Sequence, residues 1–177
     1  MVTSQTLTLT HDTAHAVVVM GVSGCGKSSL AIALAEDLDC SMLEGDAFHP
    51  AASQTKMAQG TPLTDQDRAG WLVALGEALA SNSGNIVLSC SALKKSYRET
   101  LRGYKPNLRF VYLDISPATA LARVSSRAVA DGHFFPATLV DNQFATLEVP
   151  TGEAGVLTVD ATASMHELVA QVRSWLG

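Results

Sequence analysis

Apolar runs and polar punctuation alternate along this chain with two different periods. Short continuous apolar runs at Ala16–Met20, Ser41–Leu43, Ile86–Ser89, Phe110–Leu113 and Val156–Val159 are each bounded by polar residues or glycine. That is the pattern of strands buried on both faces of a sheet. Between them the spacing becomes helical. Lys27–Leu38 carries Leu30, Leu34 and Leu38 at every fourth position, and Asp65–Ala80 aligns Trp71, Leu72, Leu75, Ala78 and Leu79. Thr64 with Asp67 forms a capping box ahead of that helix. Leu93–Arg102 is a shorter, basic helix. Ser116-Pro117 supplies an N-cap and a first-turn proline for a helix through Val124. Pro136–Thr146 is a further helix. The last one starts at Ser164, has Glu167 three residues on, and buries Met165, Leu168, Val169, Val172 and Trp175. Strands alternating with helices predict an α/β fold with a parallel sheet covered on both faces. Arg123–Phe135 follows no regular period and reads as a mobile loop.

Composition narrows the class. A length of 177 residues suits one domain, residues 15–177, behind a polar leader, residues 1–14. With 47% hydrophobic and 16% charged residues the chain can build a core. The formal charge of −5 argues against a nucleic-acid or anionic-membrane partner. An anionic ligand must therefore be held by local cations. The longest apolar run, Ala16–Val22, is too short to span a membrane, and the leader lacks the basic and apolar regions of a secretion signal. Cys25, Cys40 and Cys90 form no CxxC pair, which fits reduced thiols in a cytoplasmic protein.

The chemistry enters between the first strand and the first helix. Gly21-Val22-Ser23-Gly24-Cys25-Gly26-Lys27-Ser28 matches GxxxxGK[ST] at every position, and Ser29 follows. Glycines let successive backbone N–H groups converge on a phosphate, and the helix behind adds its own unpaired N–H groups and positive dipole end. Lys27 would reach the β- and γ-phosphates of a nucleoside triphosphate, and the Ser28 hydroxyl would ligate Mg²⁺. Cys25 serves as a small spacer.

Other residues would convert nucleotide binding into group transfer. The second strand ends in Glu44-Gly45-Asp46, with His49-Pro50 just beyond. At the carboxyl end of a strand beside the phosphate loop, one of these acids can support Mg²⁺ through water and the other can accept a proton from a substrate hydroxyl. The alternative is a solvated turn with Asp46 capping a helix. Arg68 can clamp an anionic acceptor, or pair on the surface with Asp65 or Asp67. Ser89-Cys90-Ser91-Ala92-Leu93-Lys94-Lys95 is either a second anion site or a solvated basic helix start. No aspartate ends the strand Ile86–Ser89, so a magnesium-positioning acid must come from Glu44 or Asp46, which favours small-molecule kinases over switch or motor NTPases. Arg123 and Arg127, four apart, would neutralise the transferring phosphoryl group from a closing loop that also excludes water.

Taken together these motifs resemble the gluconokinases of the thermoresistant type. The resemblance rests on Met20–Ser28, Gly45-Asp46, His49-Pro50, Met57, Gly60, Pro62-Leu63, Asp65, Asp67-Arg68 and Trp71-Leu72. It continues through Cys90-Ser91-Ala92-Leu93-Lys94, Tyr97-Arg98, Leu101-Arg102, Arg127, Gly132-His133-Phe134-Phe135, Leu139, Gln143-Phe144, Thr146-Leu147-Glu148 and Pro150. It implies a P-loop NTPase fold like that of the nucleoside-monophosphate kinases, with a five-stranded parallel sheet of order 2-3-1-4-5 and a mobile lid at about 123–135. It implies ATP and D-gluconate as substrates, Mg²⁺ as cofactor and a homodimer. Asp46 would contact the accepting hydroxyl as candidate base, with Lys27 and Arg127 completing the catalytic set. Arg68, Lys94, His49 and His133 would bind gluconate, and Arg123 and Arg127 the phosphates. Where Glu44 stands, such enzymes commonly carry Asp. The alternatives are a kinase for shikimate, a nucleoside monophosphate or another small acceptor, or a non-catalytic nucleotide-binding regulator. Against shikimate, Ser89-Cys90-Ser91 replaces a glycine triplet.

Overall fold

A computed structural model describes residues 14–131 and 137–177. Five parallel strands, β1 (Ala16–Met20), β2 (Ser41–Glu44), β3 (Ile86–Ser89), β4 (Arg109–Asp114) and β5 (Val156–Asp160), form one sheet in the order β2-β3-β1-β4-β5. The helices are α1 (Lys27–Asp37), α2 (Ala51–Ala58), α3 (Asp65–Ala80), α4 (Lys95–Tyr104), α5 (Pro117–Asp131), α6 (Ala137–Thr146) and α7 (Met165–Leu176). The fold class, strand order and strand positions agree with the sequence reading.

Alternation along β1 sorts the core into two layers. Val17 and Val19 face one side with Leu30, Leu34, Val124, Leu168 and Val172 of α1, α5 and α7. Ala16, Val18 and Met20 face the other with Trp71, Leu75, Leu79, Tyr97 and Leu101 of α3 and α4. Burial on both faces holds for β1 and β3 throughout. It fails for β2 and β5, whose residues are mostly half-buried or exposed, because each is an edge strand with one neighbour. Both capping boxes form as read, and the Ser116 hydroxyl accepts from the N–H of Thr119 at 3.1 Å. The Thr64 and Ser164 hydroxyls accept from the N–H of Asp67 and Glu167, and each carboxylate reaches back to its cap residue. Met165, expected in the core, is 39% exposed in the first turn of α7.

Three helical segments depart from the pattern. The sequence reading places no element between the second strand and Asp65, yet a 3₁₀ turn (Gly45–Phe48) and α2 occupy it. Pro50 at the N-cap and Gly60 at φ 73° just past the end are the signals that mark α2. Helix α4 begins at Lys95 and not at Leu93, because Ala92 turns through φ 43° and Lys94 stays extended. The segment expected as a loop from Arg123 is helical to Asp131. It contains no Gly or Pro to stop it, and Val129, 85% exposed past the edge of the core, blurs its period. Residues 132–136, and with them the rest of the expected lid and His133, lie outside the described residues, as do residues 1–13 of the leader. Among the described residues no helix is long and apolar enough to cross a membrane.

Candidate active site

The phosphate loop leaves β1 and wraps the N-terminus of α1, as its mechanism requires. Gly26 is the N-cap of α1, in the left-handed region. Gly24, at φ 85°, lies so close to α5 that an added Cβ would sit 2.6 Å from Ala120 O. Only glycine allows both the conformation and that approach. Gly21, Val22 and Cys25 contribute backbone: Gly21 N–H donates to Ser91 O at 3.3 Å and Cys25 N–H to Val22 O at 3.3 Å. The Val22 and Cys25 side chains are core, which fits the spacer role of Cys25. Lys27 Nζ donates to Val22 O at 3.0 Å, an acceptor that a triphosphate can replace.

Two cavities meet at this loop. One is lined by Ser23, Gly24, Gly26, Lys27, Ser28, Ser29, Asp46, Val124 and Arg127. The other contains Ser23, Lys27, Asp46, His49, Arg68, Ser91, Leu93, Leu139 and Gln143. Ser23, Lys27 and Asp46 belong to both, so a ligand in each would have its reacting end at the same three residues. A further open cavity runs from Gly24, Cys25 and Gly26 past Arg123 and Arg127 to Ala161, Ala163 and Met165.

Asp46 is set by Gly45. A Cβ on Gly45 would meet Ser89 O at 2.4 Å, so the turn can press against β3 only with glycine there. Trp71, 1% exposed, donates from Nε1 to Gly45 O at 2.7 Å and stacks on His49 with ring centroids 4.3 Å apart. His49 is buried, and its Nδ1 has no partner among the described residues. Burial pushes its pKa below the ordinary 6.5, against a smaller upward pull from Asp46, while Arg68 adds to the depression. The neutral imidazole is the form that packs on Trp71.

That depression has a measurable sign. Between pH 6.5 and the lower folded value, the unfolded chain binds a proton on His49 that the folded chain refuses. The His49 contribution is present above pH 6.5 and is lost on acidification. Urea unfolding of the wild type between pH 7.5 and 5.5 is expected to lose stability more steeply than that of His49→Phe, which keeps the stack on Trp71. Parallel curves would show an ordinary proton affinity for His49.

Ser28 Oγ donates to Glu44 Oε2 at 2.7 Å and lies 3.4 Å from Ser89 Oγ. In the sheet register Glu44 pairs with Ser89, so an acid from the neighbouring strand stands level with the end of β3, which carries none. These are hard oxygen donors, the kind that suits Mg²⁺ when phosphates and water complete the shell. Among the described residues no group of three or more His, Cys, Asp or Glu is placed to hold a metal.

The cations divide. Arg68 lines the second cavity and donates to Leu63 O at 2.5 Å, with Tyr97 beside it. The surface partners weighed for it are engaged elsewhere: Asp67 with Lys56 and Asp65 with Lys94. Lys94, expected to bind substrate, does not line either cavity. Its Nζ bonds both oxygens of Asp65 at 2.8 and 2.9 Å, and Tyr97 Oη also donates to Asp65. Arg123 braces the loop, reaching Gly24 O at 3.4 Å and Ala161 O at 3.1 Å. Arg127, one turn further, is exposed and lines the phosphate-loop cavity. Two contacts were missed in the sequence: Ser23 N–H donates to Gln143 Oε1 at 2.6 Å, and buried Arg98 bonds the carbonyls of Ala92 and Leu93. Both lie in stretches that carry the resemblance, which was the one available signal.

Comparison with known proteins agrees with this geometry. The family profile described as an AAA domain matches residues 17–150. A gluconokinase of Gluconobacter oxydans is 48% identical over 147 residues, 81% of this chain and 80% of that protein. The thermoresistant gluconokinase of Escherichia coli is 42% identical over 168 residues, 92% of this chain and 93% of that one. The crystal structure of a gluconokinase from Sinorhizobium meliloti superposes with a TM-score of 0.84 at 45% identity, covering 93% of this chain and 92% of the other. With a phosphate loop, an acid at its shoulder and an adjoining cavity in one cleft, and with relatives of this likeness along most of its length, the chain belongs to the gluconokinase family.

Proposed function

We propose that the chain transfers the γ-phosphoryl group of ATP to the C6 hydroxyl of D-gluconate, giving 6-phospho-D-gluconate and ADP, in the cleft where the two cavities meet. Gluconokinase activity follows from the relatives. The observation that supports the residue roles is the sharing of Ser23, Lys27 and Asp46 between both cavities. The triphosphate lies along the loop from Gly21 to Ser29 and against the N-terminus of α1, with the base in the cavity running to Ala161 and Met165. Gluconate occupies the neighbouring cavity. Arg68 faces its carboxylate and His49 stands by its hydroxyls.

Asp46 accepts the hydrogen bond of the attacking hydroxyl and takes its proton as the new P–O bond forms and the bond to the β-phosphate oxygen breaks. Lys27 exchanges Val22 O for phosphate oxygens and, with Arg127, holds the charge spread over the transferring group. Ser28 and Glu44 are the residues that would hold Mg²⁺, which supplies charge neutralisation on the β- and γ-phosphates when bound. Arg123 keeps the loop seated on α5, and Lys94 positions Asp65 and Tyr97 beside Arg68. A cytoplasmic homodimer and a single kinase domain over residues 15–177 complete this reading, supported by the family resemblance.

The experiment is ADP release with ATP and Mg²⁺, with and without D-gluconate, beside a panel of shikimate and nucleoside monophosphates. Turnover dependent on gluconate is expected. Equal or greater stimulation by another acceptor would reassign the substrate.

A further inference from the structure

The hydrogen bond from Ser23 N–H to Gln143 Oε1, 2.6 Å long, joins residues 120 apart in the chain. It fixes more than a distance. A backbone N–H can only donate, so the carbonyl oxygen of the Gln143 amide must face the loop and its Nε2 must face away. Nε2 has no hydrogen-bond partner among the described residues, and Gln143 is half-buried in the acceptor cavity but absent from the lining of the phosphate cavity. It is therefore not in the path of the triphosphate. The other polar residues that α6 gives to the cavity have turned donors back into the helix, one of the two N–H groups of Asn142 and the single hydroxyl proton of Thr146. Asn142 Nδ2 donates to Thr138 O at 2.9 Å, and Thr146 Oγ1 to Asn142 O at 2.8 Å.

We propose that Gln143 reads the acceptor: its Nε2 donates to the hydroxyl oxygen next to the one that is phosphorylated, O5 of gluconate. Ser23 is one of the three residues at the junction of the cavities, so a side chain fastened to it stands at the reacting end of the acceptor. The phosphate loop amide, the Gln143 amide and O5 then form one chain of hydrogen bonds. That chain ties the position of C6 to the loop that holds the donor phosphates. The inference rests on gluconate being the acceptor, as proposed above.

Two arms test it, both with the full chain, ATP and Mg²⁺. In the first, the wild type is given 5-deoxy-D-gluconate. The missing oxygen leaves Nε2 unpaired in the cavity, and kcat/KM is expected to fall about 10- to 100-fold. In the second, Gln143→Met, of similar length, is expected to lose a similar factor with gluconate, to keep its KM for ATP within about twofold, and to discriminate little between the two acceptors. The two losses do not add, which a merely structural role for Gln143 would not produce. A wild type that uses both acceptors equally, or a Met variant that still discriminates fully, overturns the inference. So does a loss that appears only in the KM for ATP. Should the Met variant fail to fold, the wild-type arm still decides. Absence of any turnover with gluconate would instead fall on the proposed substrate.

Discussion

Asp46→Asn is expected to lower kcat with gluconate by about 10²- to 10⁴-fold while ATP binding stays within a few-fold. The asymmetry follows from the geometry. Asp46 is exposed at the shoulder of the phosphate loop, and it lines both cavities through a turn that Gly45 and Trp71 hold against β3. Asparagine has nearly the same shape and does not disturb that turn. It offers an amide in place of a carboxylate, so it can neither take the proton of the attacking hydroxyl nor hold that hydroxyl's hydrogen bond as strongly. In the proposed site the triphosphate is held instead by loop amides, Lys27 and Arg127, none of which Asp46 bonds. Phosphoryl transfer leans on positioning and charge more than on strong base catalysis, so the loss should appear in kcat and much less in either KM. Steady-state kinetics with both substrates varied, beside nucleotide binding by calorimetry, separates the two. Near-normal kcat in the variant would remove Asp46 from the chemistry and leave Ser23 and Lys27 as the residues common to both cavities.

What the sequence made legible is what short stretches of chain decide for themselves. The phosphate loop is a backbone conformation, so its glycines, Lys27 and Ser28 are fixed by spacing, and the apolar run before it can only be a buried strand. The capping boxes at Thr64 and Ser164 close within three residues. Partners chosen by packing are a different matter. Lys94 has its charge, but whether it meets a substrate or Asp65, 29 residues away, depends on how α3 and α4 lie together. Glu44 becomes the companion of Ser28 only because β2 pairs with β3 and brings Glu44 level with Ser89. Ser23 and Gln143 are 120 residues apart, and no local pattern foretells that one will accept from the other. The exposure of β2 and β5 follows from sheet order, which places them at the edges. Helix α5 was lost past Val124 for a similar reason. Its outer turns leave the core, and hydrophobic periodicity reports only the part of a helix that has something to pack against.

Arg98 shows the same limit with the largest consequence for stability. In sequence it is one cation of a basic helix; in the fold it is 0% exposed. Its Nη1 donates to Ala92 O at 2.8 Å and to Leu93 O at 3.1 Å, and its Nη2 to Glu148 O at 3.0 Å. Nε donates to Glu153 Oε2 at 3.0 Å, and Nη2 also meets Glu153 Oε1. One planar guanidinium thus ties the left-handed turn at Ala92 to the segment that leads into β5. The turn carries Ser91 and Leu93 into the cavity proposed for gluconate. Arg98→Met is expected to lower the free energy of unfolding by about 3–5 kcal/mol, because a buried pair broken from one side strands its partner. Here three carbonyls lose a donor and the carboxylate of Glu153 keeps only the longer contact from Arg102 Nη1, at 3.5 Å. The hydrogen bonds from Arg98 hold the Glu153 carboxyl below its ordinary 4.5. The clamp is therefore intact at neutral pH and weakens as acid drives the pH below 4.5, and the variant should show a shallower slope there. Adding Glu153→Leu to Arg98→Met removes the stranded charge, so the double variant should recover part of the loss and keep the part owed to the carbonyls. At temperatures where the single variant remains folded, a loosened Ser91–Leu93 turn should raise the KM for gluconate more than the KM for ATP. Urea unfolding and steady-state kinetics check both halves, and a loss under about 1 kcal/mol would mean that the turn at Ala92 stands without its clamp.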